Sequence, residues 1–193
     1  MITKALLYCT KNYPMLYKNK LGQWYIDDKK FIRFAEKQKL APVNYVNGHV
    51  VAVCDIEVEE IFPYLGMKYT TNSVICSSLL KRSCLTMELL DKYLESNYKN
   101  NKCGYAIHIK NLKVFDEPHK LGETFDIGFV SISLPNKAPQ NMQSCWAFEI
   151  VGGIVMPVSD YALISIQPQW LVKILNGEKT IEVRKKVLKE MIK

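Results

Sequence analysis

The stretch that decides the fold is YALISIQPQWLVKILNGEKTIEVR, residues 161–184. It opens with an apolar run typical of a buried strand, and Pro168 then stands where the first turn of a helix tolerates proline. Apolar side chains follow it at helical spacing: Trp170, Leu171, Ile174 and Leu175. Gly177 suits the left-handed position that closes a helix, and residues 180–184 alternate like a half-buried strand. The sequence therefore predicts a compact β-α-β unit.

Charged side chains gather where this helix meets its second strand. Alternation turns Ile181 and Val183 toward the core and leaves Glu182 and Arg184 on the other face, close to Lys179. Lysine and arginine donate to phosphate or carbonyl oxygens, and a carboxylate between them can hold both in place or accept from a base amino group. The alternative is an ion-pair trio on the surface, which would contribute little to stability.

Segments nearer the start of the chain predict further strands and one more helix. Residues 5–9 are short and apolar, and residues 49–58 follow a turn as a long strand rich in β-branched side chains. Residues 104–109 predict another strand, which residues 112–115 continue or pair with and which we expect Asp116-Glu117-Pro118 to end. Thr86 is a good N-cap for a helix over residues 86–94.

The two ends of the chain are basic and its centre is not. The chain has 193 residues and a formal net charge of +7. Residues 1–40 carry nine Lys and Arg against three Asp and Glu, and residues 160–193 carry seven against four. If the ends meet in the fold, they form one positive surface suited to phosphates, whereas a solvated lysine-rich surface is the equally open alternative.

Composition excludes several classes of protein. Apolar residues make up 48% and charged residues 23%, which is ordinary for a folded domain, and no apolar run approaches the roughly 18 residues of a membrane span. We expect no signal peptide and no membrane partner. The six cysteines form no CxxC pair and the three histidines are scattered, so we predict no metal, no other cofactor and no disulfide framework. The expected compartment is the reducing cytoplasm.

Some further side chains are weaker candidates for a binding role. Aromatic residues interleave with lysines near the start of the chain, as they do where bases stack, although most such aromatics lie in a core: Tyr8, Tyr13, Tyr17, Trp24 and Tyr25 among Lys4, Lys11, Lys18 and Lys20. His108 alternates with two isoleucines, and we expect a structural role for it. Four polar residues are candidate neighbours of a cleft: Lys110, Asn111, Lys113 and Gln140.

ILNGEKTIEVR, residues 174–184, resembles the GxKxxExR signature of ASCH domains, which belong to the PUA-like superfamily. Every signature position is present: Gly177, Lys179, Glu182 and Arg184. ALLYCTK at 5–11, GHVVAVCDIEVEEI at 48–61, CGYAIHIKNLKVFDEPHKL at 103–121 and KAPQNM at 137–142 are similar to later blocks of bacterial and phage members. The resemblance implies an α+β, mostly β fold: a small, partly open PUA-like β-barrel with about two to four flanking helices.

The order of the blocks departs from that family, where the signature comes near the N-terminus. Here it comes last, so the resemblance implies a circular permutation within one domain, 1–193. Residues 1–146 then hold the later family blocks, 147–161 form a connection with some strand character, jointed at Gly152-Gly153, and 162–193 form the signature unit. Met1 and the segment after Arg184 should lie on the same side of the barrel. Alternatively, the C-terminal unit swaps into a second copy and makes a homodimer.

Three functions are compatible with this sequence. The resemblance implies binding of RNA or a nucleotide in a positively charged cleft lined by Gly177, Lys179, Glu182 and Arg184. The second function is hydrolysis of an acylated cytidine or of RNA, with Lys179 as the catalytic residue. Against it, Glu182 stands where the family's amidohydrolases have a threonine. The third is a protein–protein adaptor, which predicts a contiguous apolar surface patch.

Overall fold

The computed structural model describes residues 1–12, 14–19, 21–27, 37, 45–64, 67–70, 76–100, 102–140, 142–151, 153–157 and 161–192. Its twelve described strands are β1 (Lys4–Cys9), β2 (Met15–Lys18), β3 (Trp24–Asp27), β4 (His49–Tyr64), β5 (Met67–Thr70), β6 (Gly104–Lys120), β7 (Thr124–Ile127), β8 (Val130–Ser133), β9 (Met142–Val151), β10 (Ile154–Pro157), β11 (Tyr161–Ile166) and β12 (Ile181–Arg184). Three α-helices, α1 (Cys76–Ser83), α2 (Met87–Tyr98) and α3 (Pro168–Leu175), and a 3₁₀ turn at Lys189–Met191 complete the described elements.

Ten of these strands belong to one sheet, whose main path runs β12-β6-β4-β1-β11-β9-β8-β7. β5 pairs with β4 and β10 pairs with β9 beside this path, while β2 and β3 form a separate hairpin. β1 and β11 run parallel, and the other pairs are antiparallel. The prediction that strands 162–166 and 180–184 share a sheet with 5–9 and 50–58 is confirmed, as is the mostly β fold class.

The sheet curls into a half-barrel, so that strands far apart in its order come together. Three strands separate β12 from β11, yet the guanidinium of Arg184 donates to the backbone oxygen of Ser165. α3 connects β11 to β12 across the opening of the curl, and its buried Leu171 and Ile174 pack into the inner core. The predicted β-α-β unit is therefore present, with its two strands facing each other across the half-barrel.

Three hydrophobic clusters hold the sheet. The inner cluster includes Leu7, Ala52 and Ile107 and receives α3. A second, on the other face, joins β1 and β4 to β7, β8 and β9 through residues such as Leu6. A third packs α1 and α2 against the outer face of β6 and β12, where Ile181 and Val183 contact Leu79, Leu90 and Leu94. The helix predicted over 86–94 is confirmed, and the Thr86 hydroxyl accepts from the backbone N–H of Leu89 at 3.2 Å.

The expected break at residues 116–118 was wrong, because β6 continues to Lys120. Val50 pairs with His119 and Ala52 pairs with Val114, so the residues of β6 between Val114 and His119 form a large bulge. Pro118 lies in this bulge and not in the regular ladder, which is how a strand accommodates a residue that has no N–H.

The predicted connection at 147–161 is instead mainly a β-hairpin formed by β9 and β10. Gly153 lies at its turn with a φ of +84°, while Gly152 is outside the described residues. Exposed apolar side chains gather on this hairpin and the neighbouring turn: Phe129, Ile150, Val151, Ile154, Val155 and Met156.

The two ends of the described chain meet, as predicted. The backbone N–H of Ile2 donates to the oxygen of Glu190 at 2.7 Å, and Met191 is buried in the inner core. The signature unit packs against strands of its own chain. Within the described residues, no helix is long and apolar enough to cross a membrane.

Candidate functional site

A cleft of about 700 Å³ opens where the curled sheet brings β11 and β12 together. Its walls come from the ends of β1 and β11, from α2 and α3, and from β12. The lining residues are Thr10, Asn12, Leu85, Leu89, Lys92, Tyr93, Gln140, Ser165, Gln167, Trp170, Lys179, Glu182, Val183, Arg184 and Lys185. Three of the four residues predicted for the site, Lys179, Glu182 and Arg184, are therefore together.

The fourth predicted residue, Gly177, does not line this cleft. It adopts a φ of +77°, and its N–H donates to the oxygen of Ile174 at 3.0 Å, which closes α3. The chain then doubles back, so that the N–H of Lys179 donates to the oxygen of Lys173 at 3.0 Å. Gly177 thus acts indirectly, by turning the backbone that delivers Lys179 to the floor of the cleft.

Lys179 lies at the floor, and its side chain is only 2% exposed. Its ammonium donates to the backbone oxygen of Ser83 at 2.6 Å and lies 3.3 Å from Glu182 Oε2. The ring of Trp170 lies below it, with its centroid 5.3 Å from Nζ. Burial lowers the pKa of Lys179, and the attraction of Glu182 opposes that shift without cancelling it.

Glu182 joins the two cations of the floor. Its Oε1 lies 2.9 Å from Arg184 Nε, although that N–H is not aimed well enough at the oxygen to form a hydrogen bond. The guanidinium of Arg184 also donates to the oxygen of Ser165 on β11. One carboxylate between two cations leaves the floor with a net positive charge.

The sequence did not predict how deeply this trio is buried. Val183 pairs with Ala106, and together they turn outward under α1 and α2. Glu182 pairs with Ile107 and faces the inner core, so both faces of β12 are covered. Lys179 is buried as well, because Ser83 and Trp170 enclose its side chain.

The rim adds positive charge and aromatic surface. Lys185 donates to the Ser96 hydroxyl at 2.9 Å and lies 5.1 Å above the ring centroid of Tyr93. Lys92 is exposed on the same helix, α2. The cleft therefore carries four cationic side chains and one carboxylate, Glu182. Burial raises the pKa of Tyr93, so its hydroxyl stays protonated at neutral pH.

The contribution of α2 was missed in the sequence. This helix was predicted from its N-cap, Thr86, and no role in a site was assigned to it. Leu89 and Tyr93 lie four residues apart beside its buried face and are 47% and 38% exposed, and Leu85 continues this row just before the helix begins at Met87. Exposed apolar residues next to the buried face were the signal that a partner or a cleft lies there.

Most of the weaker candidates lie elsewhere. Tyr8 and Trp24 are core residues, Tyr17 stacks on the exposed Tyr25, and Tyr13 and Lys20 lie outside the described residues. Of the four candidate neighbours, Gln140 lines the cleft, and Lys110, Asn111 and Lys113 do not. Cys9, Cys54 and Cys145 are buried. No cluster suited to a metal ion occurs in the part of the chain that the structure describes.

His108 belongs to a polar network behind the site. It is buried, and its Nε2 lies 2.9 Å from Glu59 Oε2 while its Nδ1 lies 3.5 Å from an Arg82 nitrogen. Arg82 in turn donates from Nε to the Thr180 hydroxyl at 3.1 Å.

Comparison with known proteins adds no relative, because neither a protein-family model nor a curated protein nor a solved structure matches this chain.

Proposed function

We propose that this protein is a PUA-like domain of the ASCH type that binds RNA or a nucleotide in the cleft between α2 and β12. The observation that carries the proposal is the distribution of charge. Lys179 and Arg184 at the floor and Lys92 and Lys185 at the rim surround a single carboxylate. Such a concentration of cations in one concavity attracts phosphates.

The shape and chemistry of the walls support the same ligand. Leu89 and Tyr93 on α2, with Leu85 just before it, offer apolar and aromatic surface on which a base can stack, and Trp170 adds a further ring. Asn12, Gln140 and Gln167 offer amide donors and acceptors at the edge of the cleft. A volume of about 700 Å³ suits a nucleotide or one segment of a single strand.

The test is a titration of a labelled single-stranded RNA of mixed sequence at several salt concentrations. The variant is Lys92→Ala with Lys185→Ala, since these rim lysines lie outside the core. The matched control is Lys113→Ala with Lys120→Ala, which removes the same charge from exposed positions on β6. We expect the rim variant to bind more weakly and to reduce the salt slope by about 1 to 2, since each lost phosphate contact contributes roughly 0.7 on a single strand.

Equal losses in the two double variants would show that binding follows net charge and not the cleft. In that case we would interpret Lys179, Glu182 and Arg184 as a structural ion-pair cluster. Titration with each of the four nucleoside monophosphates, in the same proteins, separates a mononucleotide site from an RNA surface.

The lowered pKa of Lys179 favours one second candidate, a hydrolase. A lysine that loses its proton more readily can act as a base or nucleophile. The hydrogen bond to Ser83 and the ion pair with Glu182 favour a positioned cation instead. Turnover of an N-acylated cytidine by the wild type, lost in Lys179→Ala, would make the protein an enzyme.

The adaptor hypothesis concerns another surface. Exposed apolar residues gather on the β9–β10 hairpin, as an adaptor surface would require, and none of them lines the cleft. Binding through that patch would be insensitive to Lys92→Ala with Lys185→Ala, so the same variants separate the two roles.

A further inference from the structure

The end of α1 is tied to the segment that carries Lys179 by a row of hydrogen bonds. The N–H of Thr180 donates to the backbone oxygen of Arg82 at 2.8 Å, and Arg82 Nε donates to the Thr180 hydroxyl at 3.1 Å. The next residue, Ser83, accepts the Lys179 ammonium at 2.6 Å. The Cys84 thiol then donates to the oxygen of Glu178 at 3.5 Å. Residues 82–84 and 178–180 thus form one clasp.

The geometry of the clasp sets where the Lys179 ammonium can lie. Cys84 has a φ of +55°, an uncommon value for a residue other than glycine, and it ends α1. The Ser83 carbonyl beside it belongs to the last turn of α1, where the partial negative charge of a helix end favours a cation. Lys179 is therefore held away from the mouth of the cleft by a group that only the docked α1 provides.

Arg82 is the side chain that connects this clasp to the sheet behind it. One end of its guanidinium reaches Thr180, and another nitrogen faces His108 Nδ1 at 3.5 Å. His108 is fixed in turn by Glu59 on β4, at 2.9 Å from Nε2. His108 and Ile181 are register partners, so the network lies directly against β12.

We propose that Arg82 is a positioning residue of the cleft, which holds Thr180 against α1 and thereby keeps Lys179 at its floor. His108 and Glu59 orient Arg82 from behind. The proposal rests on the proposed function only for the consequence that ligand affinity depends on Arg82. The placement of Lys179 is measurable without any ligand.

The first measurement follows the Lys179 side chain by NMR in protein labelled with ¹³C-lysine, with the signal assigned by its loss in Lys179→Met. In the wild type, we expect Lys179 to titrate below the ordinary lysine pKa, since burial lowers it. In Arg82→Gln the midpoint should move toward the ordinary value of about 10.4, because the released ammonium becomes solvated. Lys81→Gln, an exposed neighbour on α1, is the matched control and should leave the midpoint unchanged.

A gentler variant keeps the test valid if Arg82→Gln does not fold. Thr180→Val removes the acceptor of Arg82 Nε and retains the shape of the side chain. We expect a smaller shift of the Lys179 midpoint in the same direction. An unchanged midpoint in a folded Arg82→Gln or Thr180→Val protein overturns the positioning role.

The second measurement repeats the RNA titration with these variants. Arg82 does not line the cleft, yet Arg82→Gln should weaken RNA binding by about tenfold, the equivalent of one hydrogen bond to a charged group. If Lys179 moves but the wild type binds neither RNA nor nucleotides, the positioning role stands and the proposed function fails. If the wild type binds RNA and Arg82→Gln changes neither affinity nor midpoint, the positioning role fails alone.

Discussion

Two groups of ion pairs in this protein have similar geometry and opposite surroundings. Lys4 lies 2.6 Å from Asp55 and Lys110 lies 2.7 Å from Glu57, in side chains that are 38% to 55% exposed. At the cleft floor, Glu182 lies 3.3 Å from Lys179 and 2.9 Å from Arg184, in side chains that are 2% to 12% exposed. The shorter pairs are therefore the ones in water, and distance alone does not rank their importance.

The difference lies in what happens when one partner is lost. In water the remaining charge is solvated again, so an exposed pair contributes about 0 to 1 kcal/mol. In the floor of the cleft, the remaining charge stays buried without compensation, and the loss is several times larger. Burying Lys179, Glu182 and Arg184 therefore costs desolvation free energy, which is understandable if these charges bind a ligand.

The largest expected effect tests this contrast directly. Glu182→Ala removes the one carboxylate between Lys179 and Arg184, and we expect it to lower the free energy of unfolding by about 3 to 5 kcal/mol. Glu57→Ala, which breaks the exposed pair with Lys110, should lower it by about 1 kcal/mol or less. Urea denaturation at neutral pH measures both. Comparable losses in the two variants would show that burial does not distinguish the groups.

The pH dependence of stability sharpens the contrast at alkaline pH. Because the folded-state pKa of Lys179 is lowered, the unfolded chain binds more protons than the folded one between that pKa and the ordinary lysine pKa of 10.5. Stability from Lys179 is therefore fully present above pH 10.5 and is lost as the pH falls through the lowered pKa. Wild type should gain stability relative to Lys179→Met as the pH rises through this window. Parallel pH curves for wild type and Lys179→Met would contradict the burial argument.

The smallest expected effect belongs to the exposed pair at acid pH. The hydrogen bond from Lys4, and then that from Asn111, hold the pKa of Asp55 below its usual value of 3.8. Its contribution is present above pH 3.8 and is lost as the pH falls through the lowered pKa. We expect wild type to exceed Asp55→Asn by about 1 kcal/mol or less at pH 6, and the difference to vanish at low pH. Thermal unfolding at both pH values measures it, and a difference of several kcal/mol would place Asp55 with the buried group.

Much of the local structure followed from sequence patterns. The helix after Thr86, the strand–helix–strand order of residues 161–184 and the helix end at Gly177 were all predicted, because caps, helical spacing and alternation act within a few residues. The failures were also local in origin. A proline was taken as the end of β6, whereas a bulge absorbs it, and Gly153 was taken as part of a joint, whereas it lies at a hairpin turn.

The site was only partly predictable. The sequence singled out Lys179, Glu182 and Arg184, and the resemblance to ASCH domains supplied the ligand class that stays a proposal. The sequence did not point to Lys92 or Tyr93 on α2, because the position of these side chains depends on how that helix packs on β12. Arg82 and His108 are 26 residues apart and approach each other only across elements.

By itself, the sequence determined several of the elements, the basic character of the chain and the identity of the charged trio, since these depend on composition and short-range periodicity. Only the tertiary structure decided that the trio is buried, that Gly177 turns the chain without touching the cleft, and that α1 supplies the acceptor for Lys179. Burial and long-range hydrogen bonds depend on the curl of the sheet, which brings β12 to β11 across three intervening strands. No short pattern in the sequence records that curl, because it sums small twists over the whole sheet.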